Sequence, residues 1–219
     1  VAVSVSATDP QGVVSGRLYW SVNGASWQNK ALAQAGDKLW SATIPGGAAG
    51  SVVQYYVEAA DALGATAQFP VGGPSSRALY IVDDQRAPAG ALHNLRILMT
   101  PADTQFLHAA TNVMSNESLA ATVIHDERDV FHNVGVHLQG SERGRNDPGR
   151  VGFTLNFPPD NLLRGVHANV SIDRSGGYTG VGGDQDEILL KHALQHAGGL
   201  PGMYDDLVRV IDRKSTRLN

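Results

Sequence analysis

Apolar and polar residues alternate in short runs through the first part of the chain, and turn residues separate the runs. In Val53–Ala59 every second residue is apolar, and Leu18–Val22 follows the same rule. A period of two is typical of a strand with one buried face. Asn23 and Gly24 then supply the positive φ angles of a tight turn. Seven such strands predict an all-β sandwich of two sheets over residues 1–83.

The pattern is mixed over residues 92–211, where it predicts an α+β domain. Six runs predict strands: Leu95–Met99, Ala121–Ile124, Asp129–Leu138, Val151–Phe157, His167–Ile172 and Leu207–Ile211. Thr100 precedes Pro101 at a helix start. The longest predicted helix, Asp184–Ala197, ends at a left-handed cap on Gly198-Gly199. Its apolar stripe is predicted to be core: Leu190, Ala193, Leu194 and Ala197.

A shift in composition marks the boundary between these two parts. All three tryptophans lie in the first part, and all eight histidines lie from His93 onward. The stretch between them contains proline, glycine and charged residues, which are typical of a linker. We therefore predict a linker over residues 84–91.

Overall composition excludes several classes of protein. Apolar residues make up 42% and charged residues 17% of the chain, which is typical of a folded globular protein. The net charge of −4 gives no basic footprint for nucleic acid. No run approaches the roughly 18 apolar residues of a membrane helix. Cysteine is absent, so disulfides and thiolate chemistry are excluded.

Both ends of the sequence suggest a fragment. The chain begins at Val1 inside an alternating run, with no initiator methionine and no signal peptide. Residues Asp212–Asn219 form an abrupt basic and polar octapeptide that resembles the translation of a common DNA sequencing adaptor. We expect the octapeptide to be an artefact, although an ordinary basic tail has the same composition.

The first part resembles the Ig-like or fibronectin type III-like modules of secreted bacterial proteins. The resemblance is carried by Val52–Gly64 and by the Phe69-Pro and Gly72-Gly-Pro runs that follow. It implies a spacer or adhesion module in a secreted or cell-surface protein. The residues agree with this, because no cluster of titratable groups occurs in this part.

The second part resembles the front of a CotH-like (spore-coat) kinase domain. The matching blocks are Val134–Arg145, Gly152–Phe157, Arg164–His167 and Ile172–Ser175. The resemblance implies a kinase-like small lobe in an atypical protein kinase. Such a kinase transfers phosphate from ATP, with Mg²⁺ or Mn²⁺, to serine residues of extracellular or coat proteins. Related domains act instead as adhesins, so a non-catalytic adhesion or matrix module remains the alternative.

The resemblance places nucleotide contacts in the loop between two predicted strands. The candidate cofactor-binding residues there are Gly140, Ser141, Arg143, Arg145 and Arg150. Glycine lets backbone N–H groups approach an anion, and arginine pairs with phosphate. Members of the family typically carry lysine near the position of Arg150, and arginine keeps the ability to hold phosphate. A solvated loop with surface arginines is the alternative reading.

Glu187 is the remaining candidate for nucleotide binding, by analogy with the helix glutamate of protein kinases. Its spacing from Asp184 also fits a helix capping box, and its spacing from Lys191 fits a surface ion pair. His192 and His196 have zinc-ligand spacing but lack the glutamate of a metalloprotease motif, so we predict no metal site. The catalytic carboxylates are expected downstream of Ile211. A chain that ends there should therefore lack kinase activity.

Overall fold

The computed structural model describes residues 1–87, 92–147, 151–174, 186–198, 205–212 and 216–218, of which 186, 187 and 216–218 are described by backbone alone. Strands predominate in these residues and helices are few. The β-rich character predicted from the sequence is therefore confirmed.

Two sheets packed on one core form the first unit. Its strands are β1 (Ala2–Ser6), β2 (Val13–Val22), β3 (Gln28–Ala31), β4 (Ala33–Gln34), β5 (Leu39–Thr43), β6 (Val52–Asp61), β7 (Thr66–Phe69) and β8 (Leu79–Ile81). One sheet has the order β1-β5-β4 and the other β3-β2-β6-β7, with β8 also paired to β6. Leu18 and Trp20 from one sheet meet Trp40 and Ala42 from the other in the core. The alternating faces predicted from sequence therefore bury one shared apolar layer.

A seven-stranded sheet forms the second unit. Its strands are β9 (His93–Leu98), β10 (Leu119–His125), β11 (Asp129–Gln139), β12 (Gly152–Asn156), β13 (Asn169–Ile172), β14 (Val208–Ile211) and β15 (Thr216–Leu218), in the order β13-β12-β11-β10-β9-β14-β15. All neighbours are antiparallel except β9 and β14. The helices are α1 (Pro101–Leu107), α2 (Glu142–Arg145) and α3 (Asp186–His196). The hydroxyl of Thr100 accepts the Asp103 N–H and caps α1, which confirms the predicted helix start.

Helix α3 differs from its prediction. Leu190 is 61% exposed and Leu194 is 37% exposed, and Ala193 and Ala197 are exposed as well. The predicted core stripe is therefore wrong, because no described residue covers this face of the helix. The spacing of apolar residues along a helix shows which face can be buried, but it does not show whether another element of the fold packs against that face.

A small apolar core joins the two units. Residues from β6 and β8 of the first unit pack against residues from β9 and β10 of the second: Val52, Leu79, Ile81, Leu98 and Ile124. A salt bridge adds to this contact, because the Arg77 guanidinium binds the Asp103 carboxylate through Nε (2.6 Å) and Nη2 (3.2 Å). The boundary between the units is thus a packed interface. Strand β8 is part of the first unit and packs directly against the second.

Thr122 is the buried polar centre of this interface. Its hydroxyl accepts the N–H of Leu79 at 3.1 Å, donates to the carbonyl of Arg77, and lies 3.0 Å from Nδ1 of His132. Burial lowers the pKa of His132. One hydroxyl therefore satisfies backbone groups on a strand edge that would otherwise be buried without partners.

Replacing Thr122 by valine is expected to lower the free energy of unfolding by about 2 kcal/mol, because the Leu79 N–H and the Arg77 carbonyl lose their buried partner. Urea denaturation followed by far-UV circular dichroism measures this loss. Thr66→Val, at an exposed position on β7, is the matched control and should change stability by less than about 0.5 kcal/mol. Equal effects of the two variants would contradict the role given to the Thr122 hydroxyl.

Candidate functional site

The predicted nucleotide loop lies at one end of the hairpin formed by β11 and β12. Gly140 directly follows β11 and has a φ of +100°, which is a conformation that favours glycine. Ser141 is exposed and precedes the short helix α2. Part of the predicted open loop is therefore helical, and its glycine provides the turn that leads into the helix.

Arg145 points into the protein. Its side chain donates from Nε to the Gly140 carbonyl at 2.9 Å and from Nη1 to the Ser115 carbonyl at 3.0 Å. It also donates to the Val113 carbonyl and to the Asn116 side chain. Four of the five guanidinium N–H groups thus have acceptors within the protein. Arg145 therefore joins the loop to the segment before β10, and few of its N–H groups remain for a phosphate.

Arg143 and Arg174 are the cations on the accessible side of the loop. Arg143 is exposed. Arg174 follows β13, and its side chain lies over the loop. Its Nε would stand only 3.6 Å from a Cβ atom built on Gly144. Its Nη1 donates to Asp147 at 3.0 Å, and both side chains of this pair are about one-third exposed. Sequence reasoning missed Arg174 as a site residue, although it stands in one of the blocks that carry the family resemblance.

The side chains of two predicted site residues, Arg150 and Glu187, are not described. Arg150 lies outside the described residues, and so does Asp184, the proposed capping partner of Glu187. Glu187 falls within α3, but its side chain is not described. Lys191, the other proposed partner of Glu187, forms an ion pair with Asp205.

A second cluster lies at the opposite end of β11. His93 begins β9, His125 ends β10, and Asp126 starts the turn into β11. Oδ2 of Asp126 stands 2.8 Å from Nδ1 of His93 and 3.3 Å from Nε2 of His125. The two imidazole rings stack with their centroids 5.4 Å apart.

Asp126 is held in place from several directions. Its φ of 53° turns it back toward β9, and its Oδ1 accepts the Asn94 N–H at 2.9 Å. Burial alone would raise the pKa of Asp126. The hydrogen bonds from Asn94 and His93, together with the positive charge available on His125 and His93, outweigh burial and lower the pKa. Asp126 is therefore an ionised acceptor between two imidazoles.

Sequence reasoning did not find this cluster. His93 is separated from Asp126 by 33 positions, and only the pairing of β9 with β10 brings them together. The adjacent pair His125-Asp126, between two predicted strands, was the one local signal. The histidines that sequence spacing did single out, His192 and His196, are both exposed, and Nδ1 of His196 lies 2.8 Å from the backbone carbonyl of His192.

Comparison with known proteins gives no assignment: no protein-family model matches the chain, and no curated protein is a significant match.

Proposed function

We propose that this chain is the front part of a CotH-like atypical protein kinase, preceded by an Ig-like or fibronectin type III-like spacer. The observation that supports this is the position of the resembling blocks. Val134–Arg145, Gly152–Phe157 and Ile172–Ser175 fall on β11, β12 and the end of β13, which are adjacent strands of one sheet. The nucleotide loop lies between the first two strands, and Arg174 reaches it from the third.

The proposed role of the loop is to hold the phosphates of ATP. Arg143 and Arg174 are accessible cations, and a guanidinium pairs with phosphate oxygens through two parallel N–H groups. A phosphate arriving at Arg174 would compete with Asp147 for the guanidinium. The loop thus fits the phosphates of the nucleotide. Asp147 is already paired with Arg174, and Glu142 is the one other carboxylate described in the loop, so these residues do not supply the set of oxygen ligands that Mg²⁺ or Mn²⁺ takes.

The protein acceptor and the compartment follow from the same proposal. The substrate would be a serine-bearing extracellular or coat protein, and the kinase would be secreted or displayed at the cell surface. No helix among the described residues is long and apolar enough to cross a membrane. The exposed leucines of α3 fit a surface on which a second lobe of the kinase packs.

Nucleotide binding tests the proposal directly. Titrating the chain with ATP or inorganic triphosphate should show binding that Arg143→Ala/Arg174→Ala weakens by about tenfold or more, since a hydrogen bond to a charged group contributes about 1.5–3 kcal/mol. The control is Arg17→Ala/Arg128→Ala, which removes the same charge from exposed positions, one in the first unit and one at the far end of β11. The absence of binding, or equal binding by both double variants, would overturn the phosphate role of the loop.

One observation favours the alternative, a non-catalytic adhesion or matrix module on a kinase-like scaffold. Arg145, one of the predicted phosphate ligands, is engaged by carbonyl and amide oxygens and acts as an internal brace. An arginine bound in this way stabilises a scaffold, whereas a nucleotide site needs the guanidinium to be accessible to phosphate. The titration above separates the two proposals, because the adhesion module predicts no affinity for triphosphate in any variant.

A further inference from the structure

Three metal-ligating side chains converge at the end of the second unit, away from the nucleotide loop. The donor atoms of His93, His125 and Asp126 all lie within 4.8 Å of one another. Two ligands of a tetrahedral zinc ion stand about 3.4 Å apart, as bond lengths of about 2.0–2.1 Å require. Oδ2 of Asp126 and Nε2 of His125 are 3.3 Å apart, which matches this spacing, whereas the 2.8 Å hydrogen bond between His93 and Asp126 would give way to the ion. We propose that these three residues bind a divalent transition-metal cation of the zinc class.

The two ring nitrogens of His125 face different carboxylates. Nε2 of His125 faces Asp126 at 3.3 Å, while Nδ1 faces Asp129 at 3.4 Å. With a cation on Nε2, the single N–H lies on Nδ1 and faces Asp129, and both ring nitrogens have partners.

Residues around the three ligands match the surroundings of a metal site. A metal-bound histidine usually gives its other N–H to a carboxylate, which is the position of Asp129 relative to His125. The Asn94 N–H donates to Oδ1 of Asp126 at 2.9 Å, so Oδ2 faces the two imidazoles. His125 is buried and His93 is 44% exposed on its side chain, so the site is rigid on one side and accessible on the other.

The ligand set indicates the class of metal. Two imidazoles and one carboxylate suit zinc and its neighbours in the first transition row better than Mg²⁺ or Ca²⁺, which prefer oxygen. Three protein ligands leave a fourth position for water. The ion would tie the start of β9 to the turn between β10 and β11, so binding should also stabilise the fold.

The experiment uses the full chain without a polyhistidine tag and with His192→Ala/His196→Ala, so that the exposed histidine pair on α3 contributes no signal. Calorimetric titration with Zn²⁺ should show one ion per chain and a rise in the melting temperature. Adding His93→Ala should weaken binding at least tenfold, and Asp129→Asn should weaken it about tenfold through the orientation of His125. His167→Ala, at an exposed position on the same unit, should leave the affinity unchanged.

Co²⁺ provides a second readout that does not depend on stability. In the same background it should give a visible absorption band typical of nitrogen and oxygen ligands, and His93→Ala should abolish the band. His93 is chosen because its side chain is partly exposed, so the variant is expected to fold, which circular dichroism checks. Absence of zinc binding in the background chain, or equal affinity in His93→Ala and His167→Ala, would overturn the proposal.

Discussion

Replacing Trp20 by alanine is expected to lower the free energy of unfolding of the first unit by about 4 kcal/mol. Trp20 is 6% exposed on β2 and lies in the layer that joins the two sheets, with Trp40 on the opposite sheet. Alanine would leave a cavity between sheets whose strands are fixed by backbone hydrogen bonds, so the surrounding residues can relax only in part.

Tryptophan fluorescence measures this effect in the first unit alone, because all three tryptophans belong to it. In Trp20→Ala the remaining Trp27 and Trp40 still report unfolding in urea. The control is Trp27→Ala, since Trp27 is 37% exposed and its ring makes an edge contact with Tyr56. That variant should cost about 1 kcal/mol. A Trp20→Ala protein no less stable than Trp27→Ala would show that the shared layer does not hold the two sheets together.

Replacing Arg96 by methionine is expected to cost about 3 kcal/mol. The Arg96 side chain is 3% exposed and binds Asp84 through Nη1 and Glu127 through Nε, each at 2.9 Å. Asp84 comes from the predicted linker and Glu127 from the turn between β10 and β11, so one guanidinium joins both units. Methionine keeps the length of the side chain but leaves two carboxylates without their cation, which is costly in a buried site. Because Glu127 is partly exposed, the expected loss of stability lies at the lower end of the range usual for a broken buried ion pair.

The loss caused by Arg96→Met should depend on pH. Burial alone would raise the pKa of Asp84, but the hydrogen bonds from Arg96 and the Arg86 N–H, together with the charge of Arg96, lower it. A carboxyl with a lowered pKa stabilises the fold above its unfolded pKa of about 3.9, and that stabilisation is lost as the pH falls through the lower folded value. The difference between the two proteins should therefore shrink below about pH 4.

Circular dichroism in urea at several pH values measures both effects. Arg128→Met makes the same chemical change one residue beyond Glu127, at a side chain that is 78% exposed. It should alter stability by less than about 0.5 kcal/mol at any of these pH values. If Arg96→Met behaved like this control, or if its cost stayed constant into acid, the buried ion pairs would contribute little to joining the units.

The interface bears on either proposed function of the chain. Thr122 and Arg96 couple the first unit to strands of the second through buried polar contacts, and an apolar cluster lies beside them. A first unit attached in this way holds the second unit in one orientation. The prediction that residues 1–83 form a separate domain remains open, and an isolated piece would expose Leu79 and Val52, which the interface buries.

Local chemistry was sufficient to predict the elements that depend on neighbours in sequence. Asn23 and Gly24 adopt the predicted positive φ angles, at 51° and 75°, because a short polar residue and a glycine tolerate them. Thr100 caps a helix at Pro101, and Gly198 ends α3 with a φ of 103°. Each of the six runs predicted as strands in the second unit lies within two residues of an observed strand, because buried strands need apolar residues in sequence, whereas the fully exposed β3 carries no such pattern.

Tertiary structure alone decided which polar side chains meet. Arg145 looks like a surface arginine in the sequence, yet the segment that binds it lies about thirty positions earlier. His93 meets Asp126 because β9 and β10 pair, and strand pairing depends on contacts across the sheet that no local pattern encodes. The exposure of Leu190 on α3 has the same origin. A stripe of apolar residues shows which face a helix can bury, but the arrangement of the other elements determines whether that face is buried.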